Sequence, residues 1–326
     1  MLSKNHDMDM CSGPLFSRII IFALLIIAMN ILQLLFNAAD MIVVGRFSGS
    51  DALAAVGATG ALINLIVNTF MGLSVGTVVI VAQDYGAGKI SELSDSVHTS
   101  IAISIISGLI VMVMGLVFCK PMLILMGTPK DILDLSVLYM RIYFVGIPAM
   151  MIYNFGAAIL RAVGDSKRPM YYLVISGIVN VILNLFFVIV LHMSVDGVAW
   201  ATVISQFLSM VLVMICLFRS NRGIRFVPRQ MRIDRTKLKG IVRIGLPAGL
   251  QSLLFSISNV LIQSAVNSFG SATVAGSSAA SNVEGFVGTT MNAYYNAAIT
   301  FTGQNMGAKK YDRIDAIAKI CTVLVF

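Results

Sequence analysis

Apolar runs of about 20 residues recur from one end of this chain to the other, the length an α-helix needs to cross roughly 30 Å of hydrocarbon. Few folds tolerate that pattern. In lipid, every backbone N–H and C=O must be satisfied within the spanning structure, which leaves helices or closed barrels. The runs lack the period-two alternation of barrel strands. Composition agrees, since 58% of the 326 residues are hydrophobic, 12% are charged and the mean hydropathy is +0.90. The expectation is an all-α integral membrane protein with spans at 15–45, 53–81, 97–118, 136–160, 171–192, 196–218, 242–268 and 273–302. A ninth span opens near Ile314 and is cut at Phe326, which reads as eight complete transmembrane helices plus part of another in a truncated chain.

Several function classes are unsupported. Cys11, Cys119, Cys216 and Cys321 form no CxxC pair, and His6, His98 and His192 are scattered, so neither a metal site nor a disulfide framework is expected. No HExxH and no GxSxG elbow occurs, so no enzyme is expected. The first 14 residues are polar, include Asp7 and Asp9, and lack the pattern of a cleaved signal peptide.

Charge sets the expected orientation. With the amino terminus in the cytoplasm, nineteen of the 23 basic residues fall on the inner side and only Arg46, Lys120, Lys130 and Arg141 on the outer. This makes a multi-pass protein of the cell membrane, with Arg161 among the inner residues. The net charge of +8 is concentrated in "RSNRGIRFVPRQMRIDRTKLKGIVRIG", 219–245, read as a cytoplasmic linker held against anionic lipid, so no nucleic-acid partner is implied.

The chain also repeats itself. Gln83, Gly86, Ala87 and Lys89 match Gln304, Gly307, Ala308 and Lys310 at a constant offset of 221 residues; Gly49-Ser50 and Ala54 match Gly270-Ser271 and Ala275 at the same offset. Leu32-Gln33 echoes Leu250-Gln251 at 218. Six helices separate the copies, an even number, so the repeat is parallel and the expected architecture is two six-helix lobes with an alternately opening cavity between them. The expected division is an amino-terminal lobe at 1–218, a basic linker at 219–241 and an incomplete second lobe at 242–326.

Polar residues inside the spans form faces. Asn30, Gln33, Asn37 and Asp40 follow one another at spacings of 3, 4 and 3, one stripe of the first helix, which must face protein or water. The fifth span carries Ser176, Asn180 and Asn184, and the sixth carries Thr202, Ser205, Gln206 and Ser209. An amide or hydroxyl can be satisfied by a neighbouring helix, but a carboxylate costs about 2.5 to 3.5 kcal/mol to insert. Asp40 therefore needs a proton, a cation or a basic partner, the property of a coupling site. Glu284, on one face with Ser277, Ser281, Gly288 and Tyr295, is the other acid placed deep in a span, as a substrate-cavity or second coupling candidate.

The segments "FNAADMIVVGRF", "AQDYGAGK", "ILRAVGDSKRPM", "GIVNVILN" with "GVAWATVISQ", and "TGQNMGAKK" together resemble the multidrug and toxic compound extrusion (MATE) family over essentially the whole chain. The resemblance implies a twelve-helix, two-lobed, monomeric antiporter. It would export cationic or amphipathic organic compounds through the lipid bilayer in exchange for H+ or Na+, with no other cofactor. The family's acid on the first helix falls on Asp40, and its further cation-site residues on Asn180, Thr202 and Tyr139 of the fifth, sixth and fourth helices. Where some members carry a second Asp, this chain has Asn184, which removes a charge from any sodium site. Where many have a proline in the first helix, it has Leu25, although Pro247 remains in the seventh. Two alternatives stay open: an inactive truncated relative, and a flippase for lipid-linked oligosaccharides. The flippase would need basic residues in the cavity, where the spans offer little beyond Arg141.

Overall fold

The structure is a computed structural model that describes residues 8–220, 223–267 and 271–325. Among these residues there are nine α-helices and no strand. They are α1 (Leu15–Phe47), α2 (Ser50–Gly86), α3 (Ile90–Leu125), α4 (Lys130–Ala162), α5 (Lys167–Leu185), α6 (Val195–Arg219), α7 (Arg235–Asn267), α8 (Ser271–Gly307) and α9 (Tyr311–Val325). Seven of them are long and apolar enough to cross a membrane, and the protein is a multi-pass membrane protein. Most helices extend beyond the apolar runs at both ends, because charged residues that cannot enter lipid can still continue a helix in the interface. α7 already begins at Arg235, inside the stretch expected to be linker, where the Asp234 carboxylate caps it by accepting from the Lys237 N–H at 2.9 Å.

Helices α2, α3 and α6 pack around α4. Close approach in lipid requires small residues at crossings. A Cβ on Gly108 of α3 would stand 2.8 Å from Pro148 Cα of α4, and one on Gly115 would overlap the Phe144 ring. Gly146 and Gly156 of α4 in turn face Val203 and Val213 of α6. The gap at Gly115 seats Phe144, which is fully buried.

The second copy of the repeat packs on the first through contacts that mirror each other. A Cβ on Gly86 of α2 would overlap the Gln304 backbone, and one on Gly307 of α8 would overlap the Gln83 backbone. Those are the residues paired by the 221-residue offset, so the α2–α8 crossing is reciprocal in its contacts. The α2–α7 and α1–α8 interfaces then correspond to one another. Gly72 and Gly76 let α7 close on α2 at Gly249, Gly245 and Ile241. Their equivalents at the same offset, Ala293 and Ala297, are fully buried in a cluster with Phe22, Ile26 and Met29 of α1. Gly270, part of the repeat, lies outside the described residues.

All of these contacts lie toward the amino-terminal end of α1. Toward the other end, Leu35 and Ile42 of α1 and Leu254 and Phe255 of α7 are exposed, and Phe255 lines a cavity between the copies. The copies therefore splay from a closed end that carries the basic residues.

The linker is pinned to that closed end. Ile224 and Phe226 are buried, Arg232 pairs with Asp95 of α3 at 2.5 Å, and the Val227 N–H donates to His98 Nε2 at 3.1 Å. Lys237 bonds both Asp84 oxygens of α2 at 2.7 Å and Glu92 of α3 at 3.0 Å. The linker expected to lie against lipid thus makes much of its contact with protein.

Candidate functional site

The splay leaves a cavity of about 810 Å³, lined from α1, α2, α4, α5, α6, α7 and α8. This volume is within the range that holds drug-sized molecules. Asn30, Gln33, Asn37 and Asp40 all line it, so the stripe read from spacing lies along its wall. α1 can afford this because its opposite face is continuous Leu, Ile and Phe for lipid.

Asp40 meets the fifth helix. The Asn184 Nδ2 donates to Asp40 Oδ1 and lies 3.3 Å from Asn180 Oδ1, so one amide joins the carboxylate to the next turn of α5. Asn180 lines the cavity at 5% exposure, whereas Asn184 is fully buried behind it. Asn184 Oδ1 is buried without a hydrogen-bond partner. A sodium ion at Asp40 would need oxygens directed at it. Asn184 instead turns its N–H toward Asp40, so these residues as arranged do not complete a sodium shell.

Thr202 of α6 also lines the cavity, but its hydroxyl donates to the Val198 carbonyl of its own helix at 3.0 Å. Tyr139 is not among the lining residues. It is buried beneath Tyr143, with ring centroids 6.1 Å apart, and Tyr143, one turn further on, faces the cavity. Glu284 is exposed and does not line the cavity either. Its expected face-mates Ser277 and Ser281 have side chains outside the described residues, while Tyr295 does line the cavity.

Sequence reasoning passed over several lining residues. Asn64 and Asn68 of α2 and Asn292 and Asn296 of α8 face the cavity, each pair four residues apart. Amides at that spacing inside a span were a usable signal. Arg161 was assigned to the inner side of the membrane from its place at the end of a span. Its side chain lines the cavity, and it and Asp40 are the Asp, Glu, Lys, Arg and His residues among the described lining residues.

The turn that follows Arg161 is structural. Gly164 adopts φ +94°, a conformation open to glycine, and a Cβ there would stand 2.5 Å from the Met8 carbonyl oxygen. Asp165 is fully buried, pairs with Arg168 and accepts the Arg168 N–H at 3.1 Å. Gln304 of α8 donates to the Ala162 carbonyl at 2.7 Å, tying the second copy to this turn.

Comparisons with known proteins bear on the whole arrangement. The MatE family model matches residues 26–186 and 247–326. The probable multidrug resistance protein YoeA of Bacillus subtilis is 30% identical over 309 residues, covering 92% of this chain and 66% of that protein. The probable multidrug resistance protein YpnP of the same organism is 26% identical over 308 residues, covering 94% and 68%. The chain thus spans about two thirds of the length of the curated relatives it matches. A crystal structure of MATE in the bent conformation superposes with a TM-score of 0.90 at 25% identity, covering 98% of this chain and 71% of that one.

Proposed function

The chain belongs to the MatE family of multidrug efflux transporters, and from that premise we propose that it forms part of a proton-coupled antiporter exporting cationic or amphipathic organic compounds. The single observation that carries this reading is Asp40, the one carboxylate among the described cavity-lining residues, bonded through Asn184 to α5.

The chemistry follows from competition for one charge. While Asp40 is ionised, the Asn184 N–H occupies one of its oxygens and leaves the other for an organic cation. A proton taken up by the carboxylate removes the charge that holds the cation, so proton entry and substrate release become alternatives at one group. The donor set supports a proton over sodium, because the neighbouring amide offers Asp40 an N–H. No step is assigned to sodium.

The orientation belongs to the same proposal. With the basic closed end on the cytoplasmic side, the cavity widens toward the outside, the direction in which an exporter releases its load. The test is efflux of a cationic dye by the full-length protein in membrane vesicles, with pH and sodium gradients imposed separately. Efflux driven by the pH gradient supports the proposal; efflux driven by sodium alone overturns the coupling assignment.

A further inference from the structure

We propose that the cavity's inner end is an anion subsite built on Arg161, which takes the carboxylate or phosphate of an amphipathic compound. This rests on the export reading above, whose substrate class it extends, among amphipathic compounds, to molecules with an anionic group and an apolar body.

The first observation is that Arg161 is left without a side-chain partner among the described residues. Among the described residues the other half-buried cations have partners: Arg18 with Asp9, Arg168 with Asp165, Lys237 with Asp84 and Glu92, and Arg313 with the Ser12 and Gly13 carbonyls, although its Nε is also buried without an acceptor. Arg161 makes no side-chain hydrogen bond or ion pair among the described residues, and its Nε is buried without an acceptor. A sheltered guanidinium is costly unless an anion meets it. Its planar fork of N–H donors matches a carboxylate or phosphate in two-point contact.

The second observation is where this cation points. It lines the same cavity as Asp40, but the two lie at different depths. Asp40 bonds Asn184, near the end of α5, while Arg161 immediately precedes the turn from which α5 starts at Lys167. The intervening length of α5 is about 25 Å. Two charges so far apart across a wet cavity interact weakly, so an anion on Arg161 does not contend with the cation site. Asp40 is too distant to neutralise Arg161.

The third observation is the company Arg161 keeps. Tyr153 and Asn154, about two turns earlier on α4, also line the cavity and add polar groups to it. Ile26, Met29, Met71 and Leu173 line it from the closed half of the bundle. A cation at the end of an apolar chamber suits an amphipathic anion. The structural alternative is that Arg161 merely offsets the carbonyl end of α4. That role predicts loss of fold on substitution, with no preference for ligand charge.

The test uses the full-length protein in detergent and two xanthene dyes of similar shape, anionic fluorescein and cationic rhodamine 6G, followed by fluorescence anisotropy. The expected result is that Arg161→Gln weakens fluorescein about tenfold or more, Arg161→Lys retains part of the binding, and rhodamine 6G binding is unchanged by either substitution. Fluorescein binding unaffected by Arg161→Gln, or loss of both dyes together, overturns the inference. Competition separates two sources of the anion. Displacement by benzoate supports a solution-borne carboxylate, displacement only by phosphatidylglycerol supports a lipid headgroup, and displacement by neither overturns the subsite. Fluorescein binding that depends on Arg161, together with dye efflux indifferent to Asp40, would sink the export reading alone. Efflux that depends on Asp40, with fluorescein indifferent to Arg161, would sink this inference alone.

Discussion

The Asn184 amide donates to the Asp40 carboxylate across the α1–α5 contact, joining the acidic residue of α1 to a side chain that is fully buried. One helix supplies the charge and another its orientation, so a change at either residue should reach the coupling step.

Asp40→Asn keeps the side chain's size and removes its titration. Accumulation of a cationic dye in cells carrying this variant of the full-length protein should rise to the level of cells without the protein, at equal expression on an immunoblot. Wild-type efflux by the variant would rule out Asp40 as the coupling group.

Asn184→Asp places a second carboxylate beside the first. Two acids at hydrogen-bond distance cannot both ionise easily without a cation between them, and the new oxygens complete a ligand set that the amide interrupts. Dye efflux should then acquire a dependence on sodium that the wild type lacks. A variant insensitive to sodium from low to high concentration would contradict the role given to the amide.

The reciprocal contacts at Gly86 and Gly307 predict matched effects. Valine at either position would drive its Cβ into the facing backbone at Gln304 or Gln83, and overpacking of this kind costs about 1 to 3 kcal/mol. Both variants should lower the thermal unfolding midpoint in detergent by similar amounts. Gly57→Ala, where nothing stands within 4 Å of the added carbon, should be neutral or slightly stabilising.

Lys237→Met would leave Asp84, only 10% exposed in its side chain, without its cation. Removing one partner of a buried pair costs about 3 kcal/mol, and a lower unfolding midpoint should record it. Asp84→Asn in the same chain should restore much of the loss. A double variant no better than Lys237→Met would show that the pair is not coupled.

The polar stripe of α1 was legible because it depends on one helix alone. Asn30, Gln33, Asn37 and Asp40 share a face by the 3.6-residue period, and an apolar surround forces that face away from lipid. Amide pairs such as Asn64 and Asn68 were written in the same code and could have been read. Tyr139 and Tyr143 differ by one helical turn, and only the packing of α4 beneath its neighbours selects which of the two faces the cavity.

By itself the sequence determined the helical class, the spans, the parallel repeat and the charged stripe, because lipid solvation and helix periodicity act locally along the chain. Tertiary structure alone decided that Asn184 meets Asp40, that Glu284 stays outside the cavity lining, and that Arg161 enters it from the closed end. Those outcomes depend on how far one helix crosses another, which is governed by glycine and alanine contacts between segments far apart in the chain. Hydropathy registers how apolar a residue is, and the direction a long side chain takes at the end of a helix is settled by what packs around it.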